Sequence, residues 1–174
     1  MKKIILGIDP GSRKTGYGLI EQAGGKISYI DSGVLHFHKI SDFHQRLGFI
    51  HAETKKLLER FKPTVISIES LIFVKSPTAL IKLAQTRGAI ISAMYKDYEN
   101  NIFEYSPNLV KQATVGHGHA DKASVQKFIS LSLGAIDYET DDESDALALA
   151  ICHASHSRSS KNSTLTKTKR GSSM

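Results

Sequence analysis

Four carboxylates stand where apolar elements meet the surface. Asp9 ends the run "KKIILGID", whose Ile4, Ile5, Leu6 and Ile8 read as a buried strand, and Glu69 ends a second such run, "TVISIE". Asp142 and Asp145 open "DESDALALAICHA", apolar on nearly all sides and therefore a buried helix. An ionised carboxylate buried without a partner is costly. The i, i+3 spacing of Asp142 and Asp145 places both on one helix face. If that helix docks on the first strand, the four acids converge, and such a cluster stays ionised only with cations. Oxygen donors without Cys or His select Mg²⁺, with Mn²⁺ as the substitute. Two such ions about 4 Å apart suit phosphodiester hydrolysis: one acidifies an attacking water, the other stabilises the leaving 3′ oxygen.

Each Asp alone has a structural alternative. Asp9 can open the Asp-Pro-Gly turn that follows it, and Asp142 can cap its helix and complement the dipole. Glu69 has neither use in "ISIES". It is the joint pattern that carries the metal reading.

The elements that must position these acids follow from periodicity. Lys3 to Asp9, Tyr17 to Gln22 and Lys26 to Phe37 read as strands, with a hairpin turn at Gly24-Gly25. Phe43, Leu47, Ile50, Leu57, Leu58 and Phe61 mark a helix opened by Ser41 and stopped before Pro63. After the Glu69 strand, Ser76 and Pro77 open a helix running to about Tyr98. A strand from Ile102 to Tyr105, a short helix after Pro107, a helix from roughly Asp121 to Leu133 and the final helix from about Asp142 complete the order. Strands first, then alternating helix and strand, predict an α/β fold with a mixed sheet covered by helices on both faces.

The 174-residue chain suits one domain, placed at residues 1–154, with a basic, disordered tail at 155–174. That tail, "SHSRSSKNSTLTKTKRGSSM", holds five of the 23 Lys and Arg and no acid, leaving 18 against 17 Asp and Glu in the body. The formal charge of +6 therefore belongs mostly to the tail and does not by itself establish a nucleic-acid binder. The single cysteine, Cys152, allows no intrachain disulfide, which suits a reducing cytosol. No segment has the length of a membrane span.

With these residues placed, the chain resembles the RuvC-type Holliday junction resolvases over residues 3 to 154. "GIDPGSRKTGYG", "ISIES" and "DESDALALAICHA" are similar to the family's three acid motifs, "LAQTRGAI" to its Leu-Gly-Gln-Ala-Arg-Gly segment, and "PNLVKQATVGHGHADK" to its Gly-x-Gly-x-Ala-x-Lys block. The resemblance implies a ribonuclease H-like fold with a five-stranded sheet. It also implies a homodimer, formed largely through the helix at about Thr78 to Tyr98, whose Ala79, Leu83, Ile90, Ile91 and Met94 are the expected contacts or else ordinary core packing; the dimer cuts four-way junction DNA with paired symmetric nicks in recombination and repair. Asp9, Glu69, Asp142 and Asp145 take the role of the catalytic acids and metal ligands, and Lys122 assists at the phosphate. Lys111 and Lys122 match the family's lysines, and Gly116 and Gly118 are expected to let the backbone approach a phosphate. Phe73 is the candidate for stacking on unpaired bases at the crossover, with Lys75 as a further expected DNA contact and Arg87, near the dimer seam, expected either to contact DNA or to cap a carbonyl. A RuvA–RuvB branch-migration complex is the partner the family implies.

The chain departs from the family at Ile72 and Ser76, where an aromatic and an Asn are usual, and at Ala84 and Thr86, where Gly and Ala are usual. The first pair bears on junction distortion, the second on helix packing. His117 and His119 make only half of a metal site, and Cys152 reads as a small core residue. Three other readings compete with this one. An actin-like ATPase shares the "DPGSRKTG" turn but needs a second lobe and a second phosphate loop, and 174 residues are too few for both. A module that grips junctions or structured RNA without cutting would lack an acid. A nuclease acting on structured RNA would favour RNA in competition with junction DNA.

Overall fold

β1 (Lys3–Asp9) forms the centre of the sheet because its apolar residues are buried on both faces: Ile5, Leu6 and Ile8 are 2% exposed or less. In the computed structural model, which describes residues 2–71, 76–116, 118 and 120–168 and side chains of the last helix to Ser157, β2 (Lys14–Ala23) pairs antiparallel with β1. β3 (Lys26–His36) pairs antiparallel with β2 across the Gly24-Gly25 turn. After α1 (Phe43–Phe61), β4 (Val65–Glu69) runs parallel to β1 on its other side. α2 (Pro77–Tyr98) then leads to β5 (Ile102–Tyr105), parallel to β4. The sheet order is β3-β2-β1-β4-β5. α3 (Pro107–Val115), α4 (Lys122–Leu133) and α5 (Asp141–Thr168) follow.

Strand alternation divides the core into two layers. Ile5, Ile20 and Val65 face α3, α4 and α5, where Leu147, Ile151, Val125 and Ile129 meet them. Leu6, Ile8, Leu19, Ile66 and Ile68 face α1 and α2, against Ile50, Leu57, Leu58, Ile90 and Met94. Each such side chain removed from water contributes about 1.5–3 kcal/mol. Helices therefore cover both faces of a mixed five-stranded sheet, as the patterning predicts.

Three boundaries differ most from expectation. β2 begins at Lys14, ahead of Tyr17. The cap of α1 is Asp42, not Ser41: its carboxylate accepts from Gln45 N at 2.8 Å. The backbone of α5 also remains helical past residue 154, to Thr168. Composition predicts little burial there but contains no stop, since neither Gly nor Pro occurs between 155 and 168. No helix among the described residues is long and apolar enough to cross a membrane.

Candidate active site

The sheet brings the first two acids together through register. β1 and β4 pair in parallel up to Ile8 and Ile68, so Asp9 and Glu69 occupy the next rung. Side chains alternate, and Asp9 follows Ile5 and Gly7 on the face covered by α5. Glu69 follows Val65 and Ser67 on the same face, where Ser67 Oγ donates to Leu149 O at 2.8 Å.

α5 reaches the strand ends because the sheet under it is bare. A Cβ on Gly7 would lie 1.9 Å from Ala146 O, and one on Gly16 would lie 2.2 Å from Asp142 O. Only glycine tolerates so close an approach. The helix begins with a reciprocal cap in which Glu143 Oε1 accepts from Glu139 N at 2.8 Å and Thr140 N at 3.2 Å. Glu143 Oε2 also accepts from Ser32 Oγ, so this buried acid is turned toward β3. Asp142 and Asp145 are left for the strand ends.

Glu69, Asp145, Lys111 and Lys122 line one cleft of about 260 Å³, with Val110 and Leu149 among its apolar walls. Burial, then the charges of Glu69, Asp145 and Asp142, push Asp9 up from 3.8 to about 8, partly opposed by Lys122. Burial and the charge of Asp145 also raise Glu69. Burial works to raise Asp142, but hydrogen bonds from Lys14 and Thr140 outweigh it and hold this carboxyl below its usual value. Asp9 thus lies in the field of the other three acids.

Lysines balance part of that field. Lys14 Nζ donates to Asp142 Oδ2, and Lys122 Nζ donates to Asp145 Oδ2 at 3.0 Å while approaching Asp141 Oδ2 at 3.3 Å. Among the described residues, no three carboxylates, imidazoles or thiols already stand around a common ion position. The donor set still fits a hard divalent cation: it is all oxygen, and it places a buried Asp9 among three further carboxylates. Lys14 is the residue that sequence reasoning passes over. The available signal is its place five residues after Asp9, across the turn that the acid begins.

The other expected contacts divide. Lys111 and Lys122 face the cleft. Gly116 is the left-handed cap of α3, at φ 88°, with its N–H bonded to Gln112 O, so its conformation requires glycine whether or not a phosphate is near. Gly118 lies in the turn beyond, with Asn108 at ordinary contact distance. Of its two expected roles, Arg87 caps a carbonyl rather than standing free for DNA. Its side chain is 11% exposed, Nε donates to Glu69 O at 3.1 Å, and Nη2 stands 2.6 Å from Glu104 Oε1. A guanidinium enclosed and paired in this way is not presented to a phosphate. Phe73 and Lys75, with Ile72, His117 and His119, lie outside the described residues.

The family model for the crossover junction endodeoxyribonuclease RuvC matches residues 5–153, which include all four acids and both cleft lysines. The chain belongs to the RuvC family. RuvC proteins of Citrifermentans bemidjiense and Actinobacillus succinogenes are 42% and 44% identical to it, each over 87% of this chain and over 92% and 78% of their own lengths. Among solved structures, Thermus thermophilus RuvC bound to a Holliday junction substrate superposes with a TM-score of 0.82 at 29% identity, covering 91% of this chain and 96% of that one. The yeast mitochondrial Holliday junction resolvase, at 16% identity and TM-score 0.66 over 87% of this chain and 78% of that one, shares the fold. The RuvC fold is ribonuclease H-like, and the chain's own sheet order and helix layers agree with it.

Proposed function

We propose that this RuvC-family chain is a metal-dependent endonuclease that resolves four-way DNA junctions during recombination and repair. The observation that carries the reading is the placement of Glu69, Asp145 and Asp142 around a buried Asp9, which burial first and their charges second push up to about 8. These carboxylates would hold two Mg²⁺ ions, with Mn²⁺ as a substitute. Bound there, the ions supply Lewis acidity at the scissile phosphate and acidify an attacking water.

The chain's residues contribute the rest. Burial first, then the neighbouring acids, favour the protonated form of Asp9 near neutral pH. Lys14 and Lys122 hold Asp142 and Asp145 by hydrogen bonds. Lys111 and Lys122 line the cleft, where their positive charges would oppose the charge that develops on a bound phosphate. The apolar walls at Val110 and Leu149 limit water around the reacting group.

Two equivalent incisions in a two-fold junction call for two sites related by a two-fold axis, hence a homodimer. Ile90 and Met94 of α2 are buried in the core of the chain itself, so Ile81 and Tyr95, both more than half exposed, take their place as candidates for that contact. Phe73 and Lys75 are assigned to the crossover. The reading extends to a cytoplasmic enzyme that works with a RuvA–RuvB branch-migration complex.

The test is a labelled mobile four-way junction incubated with Mg²⁺ or with EDTA, beside the Asp9→Asn protein. Paired symmetric nicks are expected only with metal and wild-type protein, while the variant still binds the junction. Cutting by Asp9→Asn, or equal cutting in EDTA, would overturn the assignment. Preferential cleavage of structured RNA in competition would move the substrate class.

A further inference from the structure

The carbonyl of Glu69 stands at a point where the sheet no longer supports β4 on one side. Pairing with β1 ends at Ile8 and Ile68, while on the other side Ser70 N donates to Tyr105 O at 2.9 Å. Beyond Ser70 the chain leaves the strand. An unpaired carbonyl at the edge of a buried site would cost free energy and leave the local backbone free to drift.

Arg87 fills that place. It comes from the middle of α2, and Nε donates to Glu69 O at 3.1 Å. The far side of the same planar group forms an ion pair with Glu104 of β5, Nη2 to Oε1 at 2.6 Å, without hydrogen-bond alignment. Glu104 pairs in register with Ile68, the residue before Glu69. One guanidinium therefore links α2 to the end of β4 by a hydrogen bond and to β5 by charge, and its charge is already matched.

The structure assigns Arg87 as a positioning residue: anchored by Glu104, it holds the backbone of Glu69 and so sets where that carboxylate stands toward the metal. The assignment rests on the metal-nuclease reading and replaces the expected DNA contact. Supporting residues behind metal ligands typically alter metal affinity by about 10–100-fold when removed. Lysine has no second donor in a fixed plane, so it cannot bridge Glu69 O and Glu104 in the same way.

The test uses the full chain with Arg87→Gln, Arg87→Lys, Glu104→Gln and the double variant Arg87→Gln/Glu104→Gln. Glu104 is 52% exposed, so its variant keeps the core intact and remains informative if Arg87→Gln folds poorly. Two quantities are read: the Mg²⁺ or Mn²⁺ concentration giving half of the maximal rise in melting temperature, and junction affinity in EDTA. Arg87→Gln is expected to raise the metal midpoint roughly tenfold, with Glu104→Gln in the same direction. The double variant should be no worse than Arg87→Gln, because the two residues act as one unit. Arg87→Lys should restore part of the loss, and junction affinity should stay within about twofold throughout.

Weakened junction binding with an unmoved metal midpoint would restore Arg87 as a DNA contact and overturn the assignment. A lower metal-free melting temperature with neither quantity moved would make it a packing residue only, also against the assignment. A wild type whose melting ignores both metals would instead sink the metal-nuclease reading, and this assignment with it.

Discussion

Asp9→Asn should make the metal-free protein more stable at neutral and alkaline pH, although it removes a central residue of the site. The folded environment raises this carboxyl from 3.8 to about 8. A raised carboxyl contributes its full stability below about pH 4, where it is neutral in both states. That contribution is lost as pH climbs toward 8, because the unfolded chain releases the proton first. At pH 7 the gap is about three pH units, and each unit corresponds to about 1.4 kcal/mol, so the ceiling is about 4 kcal/mol. Asp9 is half-buried and water reaches it, which reduces the expected gain to about 1–3 kcal/mol. The amide preserves the shape without the charge. Urea unfolding in EDTA from pH 5 to 8 should show a falling wild-type curve and a flatter variant curve, separating most at pH 8. In melting temperature the separation is about 5 °C, from roughly 2–4 °C per kcal/mol for a chain of this size. Mg²⁺ should then raise the wild type and leave the variant nearly unchanged. Parallel curves, or a variant less stable at pH 8, would refute the argument that burial and the neighbouring acids raise Asp9.

Lys14→Ala removes the cation that occupies Asp142 and should lower the metal midpoint about two- to fivefold, the range of an exposed ion pair; a higher midpoint would show that Lys14 helps hold the site rather than compete for it. Gly7→Ala should cost about 3 kcal/mol in urea unfolding, because its Cβ would strike Ala146 O on the backbone of α5. Thr86→Val should be neutral or gain about 1 kcal/mol, since the Thr86 hydroxyl is fully buried with no partner among the described residues; a loss above that size would point to a partner. Burial, then Lys3 and His156, lower His153 from 6.5 to about 4, and Tyr105 Oη meets its Nδ1 at 2.9 Å. The unfolded chain therefore binds the proton first as pH falls from 6.5 to 4, and stability drops by about 1–2 kcal/mol there. His153→Gln should flatten that part of the acid-unfolding curve.

The sequence by itself determined the acids and the elements that carry them. Asp9 and Glu69 are conspicuous because each closes an apolar strand, and the Asp142 and Asp145 pair because it opens a helix with no polar face. Those are local signals, set by side-chain period and by the cost of burying charge. Tertiary structure alone decided which acids meet. The crossover that seats β4 beside β1 puts Asp9 and Glu69 on adjacent rungs, and strand order is not written in any local pattern. It also sorted "DDES": Glu143 turns to Ser32 and caps α5, while Asp142 turns to Lys14, a separation made by helix docking on Gly7 and Gly16. Arg87 shows the same limit. Its charge and motif left a phosphate and a carbonyl both open; its partners are a carbonyl and a carboxylate from two strands, and only packing brings those within one guanidinium's reach.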